Sequence, residues 1–226
     1  EVVSRSSDSI IEEIRRLSKD PKFRGTVTDV GGPTANAYGM QRRNISACNA
    51  CRRTSCLYPK ICPHLDIDPS PLLQLLEQSL CENGIRHVFI ASGIRHDLAL
   101  KQKDLIAILA ARHIGGHIKA APEHVSARVL EIMRKPKFEL FEEFEYLFRT
   151  ASRKANKKQY VLPYFIAGFP GCTKADADLL TKKLESRNQT LEQCQSFIPI
   201  AGTSAAAFAY SGKNEHGQDL YIPDTK

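Results

Sequence analysis

Short apolar runs typical of buried β-strands alternate along most of the chain with segments whose apolar residues recur at helical spacing. The predicted helices cover residues 9–18, 70–81, 102–112, 125–133, 138–154 and 174–186. The predicted strands cover residues 25–30, 87–91, 118–121, 160–167 and 193–198. Strands that are followed by helices predict an α/β fold with parallel strands and right-handed crossovers.

Each predicted strand ends in Gly, Pro or polar residues. The first stops at Gly31-Gly32-Pro33, the third runs into Pro122-Glu123-His124, and the fourth closes with Gly168-Phe169-Pro170-Gly171. In barrels and open parallel sheets, ligand sites form at this carboxyl edge of the strands. The pattern therefore predicts where a site lies, although the fold alone does not identify the ligand.

These three strand ends each have a functional and a purely structural interpretation. Two adjacent glycines let a ligand approach the backbone at Gly31-Gly32, but a plain turn uses the same residues. Glu123 can hold sugar hydroxyls and Lys135 can pair with a carboxylate, or they serve as a capping Glu and a surface Lys. The turn at 168–171, followed by Thr173, fits a strand, a turn and a helix N-cap. Function is favoured because all three occur in this order at strand ends.

Arg95 and Asp97 follow the second predicted strand. They lie where side chains can face a substrate, but the same two residues can form an ion pair at the start of a helix. The residue types leave both interpretations open.

The length of 226 residues suits one domain with a sizeable core, or a large slice of one α/β barrel. No apolar run approaches the roughly 18 to 20 residues that cross a bilayer, and no signal-peptide pattern is present at the start. We therefore expect a cytoplasmic protein with no membrane association. Since the chain begins with Glu1 and not Met, we also expect its ends to have been set by cutting or by a damaged reading frame.

The net charge is +7, from 32 basic and 25 acidic residues. This balance permits an anionic partner such as RNA, but the charges are scattered. The densest stretch, 149–158, follows a helix rich in Glu and Phe, where positive charge also suits a helix C-terminus. A solvated face and a nucleic-acid surface both remain open.

Four of the seven cysteines crowd together at Cys48, Cys51, Cys56 and Cys62. Without a secretory signal a disulfide scaffold is disfavoured, whereas thiolates this close can surround one zinc ion or an auxiliary iron–sulfur cluster. Neighbouring arginines favour thiolates, and His64 offers an extra ligand. Buried free thiols are the alternative. The isolated Cys81, Cys172 and Cys194 are interpreted as packing residues.

Five segments of the chain closely resemble YgiQ-like radical S-adenosylmethionine (SAM) proteins. They are residues 25–36, 50–63, 89–95, 115–124 and 160–171. The resemblance runs from about Ser4 to Tyr210. It implies a partial (β/α)6 TIM-like radical SAM barrel over 1–210 that keeps barrel strands two to six. A Cys-rich insertion at about 36–69 then follows the first retained strand, and 211–226 form a polar C-terminal extension.

The resemblance also assigns cofactor contacts. The residues assigned to SAM are Gly31, Gly32, Pro33, Glu123, Lys135, Gly168, Pro170 and Gly171. The first three receive the amino group of the methionine part, Glu123 faces the ribose, Lys135 meets the carboxylate, and the last three lie beside the adenine. None of these contacts identifies a substrate, and RNA and a small molecule are both open.

One departure from the family limits what this chain can do. Radical SAM enzymes hold a [4Fe–4S] cluster with a C-x3-C-x2-C loop, and the cysteines at 48–62 do not have that spacing. The resemblance therefore implies a radical SAM enzyme with an electron-donor protein for the intact parent, while the isolated chain is expected to be inactive. The alternative is a non-catalytic metal-binding module on a vestigial barrel, associated with RNA. We expect truncation at both ends.

Overall fold

The computed structural model describes residues 3–187 and 193–223, which form an α/β fold with parallel strands in two small sheets. The strands are β1 (Thr26–Val27), β2 (His87–Val88), β3 (His117–Glu123), β4 (Tyr160–Ala167) and β5 (Cys194–Ser196). The first sheet has the order β1-β2 and the second the order β3-β4-β5. β1 pairs in parallel with β2, and β4 pairs in parallel with β5, which confirms the predicted strand direction for these pairs.

Helices separate the strands along the chain. They are α1 (Ser7–Ser18), α2 (Ile45–Asn49), α3 (Ser70–Leu80), α4 (His96–Ala99), α5 (Leu105–Ile108), α6 (Ala127–Ile132), α7 (Phe138–Lys154), α8 (Lys174–Ser186) and α9 (Ser204–Ser211). A 3-10 turn covers Ala35–Ala37, and a π-helical turn at Leu109–His113 continues α5. Within the described part of the chain, no helix combines the length and the apolar character that a bilayer span requires.

Local sequence signals explain several helix ends. The Ser6 side chain caps α1 by accepting a hydrogen bond from the Ser9 amide at 3.3 Å. A capping box joins Thr173 and Asp176 at the start of α8. At the far end of α9, Gly212 adopts a left-handed conformation with φ 66°. Caps of this kind are local, so the corresponding boundaries follow closely from sequence.

The chain divides into two compact units. The first contains residues 1–120 and 142–161, and the second contains residues 121–141 and 162–226. The first unit buries Leu72, Leu75 and Leu76 of α3. The core of the second unit is built on Val129, Phe169 and Cys172, with partly buried apolar side chains packed around them.

The strands expected over 87–91 and 193–198 are shorter in the structure, at His87–Val88 and Cys194–Ser196. Two further predicted elements differ from the structure because of long-range polar contacts. The strand expected over 25–30 ends at Val27, since the Asp29 carboxylate accepts hydrogen bonds from the amides of Ala91 and Ser92 at 2.8 and 3.1 Å. The helix expected over 102–112 begins only at Leu105. Asp104 before it has a left-handed backbone with φ 58°. The Gln102 side chain is buried away from this helix, among backbone oxygens.

The segment after α9 has more contacts than its polar sequence suggests. Its hairpin-like turn pairs Lys213 with Asp219, and the Leu220 amide donates to the Gly212 carbonyl at 2.7 Å. The Tyr221 carbonyl accepts a hydrogen bond from the Gly171 amide at 2.7 Å. The described part of the predicted extension is therefore held against the rest of the second unit, while 224–226 lie outside the described residues.

Candidate functional site

Glu123 is the last residue of β3 and carries an unusual backbone conformation. Its φ is 69°, in the left-handed region that non-glycine residues rarely adopt, and only 8% of its surface is exposed. Its carboxylate accepts a hydrogen bond from Lys135 Nζ at 2.8 Å. The structure thus brings together two of the residues that the sequence assigns to a ligand, and each neutralises the charge of the other. Strained residues of this kind cluster at functional sites.

The C-terminus of α6 places Lys135 for this contact. The Lys135 amide donates to the Leu130 carbonyl at 2.8 Å, and the Arg134 amide donates to the Glu131 carbonyl at 2.9 Å. These two bonds form a Schellman motif, in which Arg134 takes the left-handed position with φ 54°. The chain therefore reverses directly after α6 and carries the Lys135 side chain back towards the end of β3.

The exit of β4 is a tight turn that depends on two glycines. Gly168 and Gly171 have φ values of 69° and 91°. A Cβ atom at Gly171 would lie 2.6 Å from the Cδ1 atom of Ile132, so a larger residue does not fit without movement. Pro170 lies inside this turn and is buried. The sequence-predicted residues of this turn therefore have a structural requirement of their own.

His124 and Cys172 form a buried contact that the sequence reasoning missed. The imidazole is 1% exposed, and its Nδ1 accepts a hydrogen bond from the Ser126 amide at 2.9 Å. A neutral ring therefore carries its proton on Nε2, which lies 3.6 Å from Cys172 Sγ. Burial lowers the pKa of His124 and raises that of Cys172, so both are neutral near pH 7. The sequence signal for this contact is the position of His124 directly after Glu123.

The three remaining cysteines outside the Cys-rich segment differ from one another. Cys172 is buried in the core of the second unit, which confirms its interpretation as a packing residue. Cys81 and Cys194 are exposed, so the same interpretation is wrong for them. Cys81 caps the C-terminus of α3, and Cys194 begins β5, which has a neighbouring strand on one side.

In the first unit, Gly31 and Gly32 line a cavity of about 420 Å³ together with Asp29 and Tyr38. A Cβ atom at Gly31 would lie 2.7 Å from the Cβ atom of Ala35, so this glycine lets the following turn pack closely. A Cβ atom at Gly32 would meet nothing within 4 Å. The backbone at Gly32 is consequently open to a ligand, and Pro33 follows it at the surface.

Asn36 anchors the turn that follows these glycines. Its side-chain oxygen accepts from the Arg95 amide at 2.8 Å, and its amide group donates to the Arg95 carbonyl and to Gln102 Oε1, both at 2.9 Å. Arg95 Nε lies 2.7 Å from Asp97 Oδ1, with Arg95 as the N-cap residue and Asp97 in the first turn of α4. The ion pair at a helix start is thus present, while a role of these residues towards a substrate stays a prediction.

The Cys-rich segment is closed at its base by antiparallel pairing of Arg42 with Leu65. Cys48 and Cys51 lie one turn apart, where the Cys51 amide donates to the Cys48 carbonyl. Cys51 and Cys56 are exposed, Cys48 is half-buried and Cys62 is buried. Across residues 3–187 and 193–223, no three His, Cys, Asp or Glu side chains, including His64, are grouped as metal ligands. Metal binding by the four cysteines stays a prediction.

The basic stretch at 149–158 lies at the end of α7 and beyond it. Arg153 and Lys154 occupy the last turn of this helix, where positive charge faces the negative end of the helix dipole. Arg149 pairs with Glu145 one turn earlier at 3.1 Å. The helix-end interpretation accounts for these charges, and binding of RNA stays a prediction.

No protein-family model matches the chain. Curated proteins do match it over almost its full length. A UPF0313 protein of Methanocella arvoryzae is 40% identical over 98% of this chain, and one of Bacteroides thetaiotaomicron is 42% identical over 93%. The UPF0313 protein YgiQ of Escherichia coli is 38% identical over 98% of this chain. The chain belongs to the YgiQ-like UPF0313 family.

Alignment with these UPF0313 proteins covers 37%, 36% and 31% of their own lengths. The chain thus spans about a third of the curated relatives it matches. Their names describe no reaction. The activity of a whole UPF0313 protein is therefore a matter for proposal.

Proposed function

We propose that this chain is the SAM-binding part of a radical SAM enzyme. The observation that carries the proposal is the position of the assigned residues at the exits of parallel strands. Gly31-Gly32-Pro33 follow β1, Glu123 ends β3, and Gly168 directly follows β4. Ligand sites of α/β folds form at such exits. A plain structural role explains each turn alone, but not a buried left-handed Glu123 paired with Lys135.

We also propose that the strands belong to a TIM-like barrel. The strand order supports this because neighbours follow the order of the chain, with β1-β2 in one sheet and β3-β4-β5 in the other. A parallel bridge from Ile94 to Ala120 links the segment after β2 with β3. Sequential parallel neighbours are what a (β/α) barrel requires, whereas doubly wound sheets reverse their strand order. In such a barrel, the Cys-rich segment is an insertion after β1.

Each set of residues has chemistry that suits one part of SAM. An amino group can approach the backbone at Gly32 closely, since no atom lies within 4 Å of the place where a Cβ atom would be. The Glu123 carboxylate can accept hydrogen bonds from ribose hydroxyls, and the Lys135 ammonium can pair with a carboxylate. One-electron reduction of bound SAM would break the bond between its sulfur and C5′, giving methionine and a 5′-deoxyadenosyl radical that would take a hydrogen atom from a substrate.

The [4Fe–4S] cluster that such chemistry uses does not fit the residues of this chain. None of the seven cysteines shows the C-x3-C-x2-C spacing, and in the described ranges no thiolate group is assembled. We therefore derive no step through the cluster. The role proposed for these residues is to bind and orient SAM. Reduction of SAM and binding of the substrate are left to other parts of the whole protein and to its electron donor.

Calorimetric titration of the chain with SAM tests the proposal. We expect saturable binding of SAM. It should weaken by about tenfold in Glu123→Gln, which removes a charged acceptor, and in Gly32→Val, which fills the open space at the backbone. Glu131→Gln is the matched control, since Glu131 is exposed on α6. Absence of saturable SAM binding, or equal losses in Glu131→Gln, would contradict the proposal.

A further inference from the structure

A carboxylate in the second unit collects more hydrogen bonds than its local helix needs. Asp176 is 8% exposed in the first turn of α8. Its Oδ1 accepts from Ser126 Oγ at 2.6 Å, and its Oδ2 accepts from the Thr173 amide at 2.9 Å and from Thr173 Oγ1 at 2.5 Å. Arg128 forms an ion pair with the same Oδ2. A capping box accounts only for the contacts with Thr173.

The other partners come from a different part of the second unit. Ser126 and Arg128 lie between the end of β3 and the first turn of α6, some 50 residues before Asp176. Arg128 also donates to the Gly171 carbonyl at 2.6 Å, in the turn after β4. One carboxylate therefore fastens the segment that leaves β3 to the segment that leaves β4.

These two segments carry residues proposed to contact SAM. Glu123 lies three positions before Ser126, and the intervening His124 is fixed by the Ser126 amide. Gly171 lies two positions before Thr173. We infer that Asp176 is a positioning residue, which holds the exits of β3 and β4 in the arrangement that the adenosyl part of SAM requires. This inference rests on the proposed function.

Asp176 remains charged in this role. Burial on its own would raise the pKa of Asp176, but hydrogen bonds from Ser126, Thr173 and Arg128 outweigh it and hold the pKa far below its usual range. The carboxylate is therefore ionised near neutral pH, and both of its oxygens accept hydrogen bonds. Its contribution is therefore geometric, through preorganisation of two backbone segments before the ligand arrives.

The test compares three variants of the full chain by SAM titration. Asp176→Asn replaces one acceptor oxygen with an NH2 group, which then faces hydrogen-bond donors of Ser126, Thr173 or Arg128. We expect the Kd for SAM to rise about tenfold or more, since misplaced binding groups cost at least that much. Asp176→Glu retains the charge and the residue preferred in a capping box, and should restore the Kd to within about threefold of the parent value. Asp178→Asn, exposed on the same helix, should leave the Kd unchanged.

Hydrogen exchange separates positioning from general stability. In Asp176→Asn, exchange should rise in residues 121–128 and 168–173, while residues 70–80 of the first unit keep their protection. If Asp176→Asn fails to fold, Ser126→Ala removes a single bond and should still weaken SAM binding by about threefold. Parent-like Kd values in both variants overturn the inference alone. Failure of the unmodified chain to bind SAM overturns the proposed function, and the inference with it.

Discussion

Four residues other than glycine adopt a left-handed backbone in the described part of the chain. They are Asp104, Glu123, Arg134 and Asn156. Asn156 ends α7 in a second Schellman motif, because the Lys157 amide donates to the Ser152 carbonyl at 2.9 Å. Asn tolerates this conformation, whereas Arg and Glu rarely adopt it. Glu123 belongs to the proposed site, and Arg134 directly precedes Lys135, the partner of Glu123 in that site.

Replacing Arg134 with glycine tests this strain. We expect Arg134→Gly to raise the free energy of unfolding by up to about 1 kcal/mol, because glycine adopts the left-handed conformation without a steric penalty. The change also removes the surface ion pair of Arg134 with Glu215, which contributes about 0–1 kcal/mol. Glu215→Gln removes that pair alone and is the control in urea unfolding. An Arg134→Gly variant less stable than Glu215→Gln would contradict the strain argument.

His113 is one of two buried histidines whose lowered pKa makes stability depend on pH. It is fully buried, and its Nδ1 lies 2.9 Å from the Val88 carbonyl. Its Nε2 has no hydrogen-bond partner among the described residues. A second N–H there would have no acceptor. Burial, as the main cause, lowers the pKa of His113 below its ordinary 6.5.

The sign of the effect follows from this lowered pKa. Below about pH 6.5 the unfolded chain takes up a proton more readily than the folded chain, so this contribution to stability is complete above that pH and is lost as the pH falls. Its slope is at most about 1.4 kcal/mol per pH unit. Urea unfolding between about pH 7.5 and 5.5 measures it. His113→Gln should reduce the slope and leave the share of the buried His124, whereas exposed His117→Gln should keep the parent slope. Equal slopes in His113→Gln and the parent would refute this.

The two faces of the helix α7 differ in their burial. Phe144 and Phe148 are fully buried with ring centroids 6.1 Å apart, while the neighbouring Leu147 is 39% exposed. Phe148→Ala should lower the free energy of unfolding by about 3–5 kcal/mol, the cost of a lost aromatic and its cavity. Leu147→Ala should cost under about 1 kcal/mol. Similar losses from denaturant unfolding of both variants would show that this face assignment is wrong.

Elements governed by local signals could be predicted from the sequence with their correct bounds. α7, α8 and β4 begin and end where apolar spacing, caps and turn residues indicate. The shortened β1 could not be predicted, since the Asp29 carboxylate bonds to amides some 60 residues away. The helix expected from residue 102 fails for the same reason, because Gln102 bonds to the Asn36 carbonyl.

The candidate site shows the same division. Glu123 and Lys135 were named from sequence, but their mutual ion pair depends on how α6 ends. His124 and Asp176 were missed because their partners, Cys172 and Ser126, are 48 and 50 residues away. Single residue types carry no sign of such partners. The sequence could therefore predict the strand exits where a site forms, and not the contacts that arrange it.

At the scale of the whole molecule, the arrangement of the cysteines bears on the proposed SAM chemistry. The described residues offer no assembled ligand set, and the spacing at Cys48–Cys62 differs from that of the radical SAM cluster loop. The exposed cysteines of this segment can nevertheless hold zinc or iron if the segment rearranges around the ion. Metal at these cysteines and cleavage of SAM are thus separable properties.

Anaerobic reconstitution with iron and sulfide distinguishes these properties, with the longer E. coli relative YgiQ as comparator. We expect the relative to form 5′-deoxyadenosine from SAM under reducing conditions and the present chain to form none, because its cysteines lack the spacing of the cluster loop. Metal analysis of the purified chain should find about one equivalent of zinc or iron, lost when Cys51 and Cys56 are changed to Ser. Less than about a tenth of an equivalent would end the metal hypothesis. Production of 5′-deoxyadenosine by the chain itself would refute its assignment as a binding part alone, and a cluster-loaded relative that leaves SAM intact would refute the radical SAM proposal for the family.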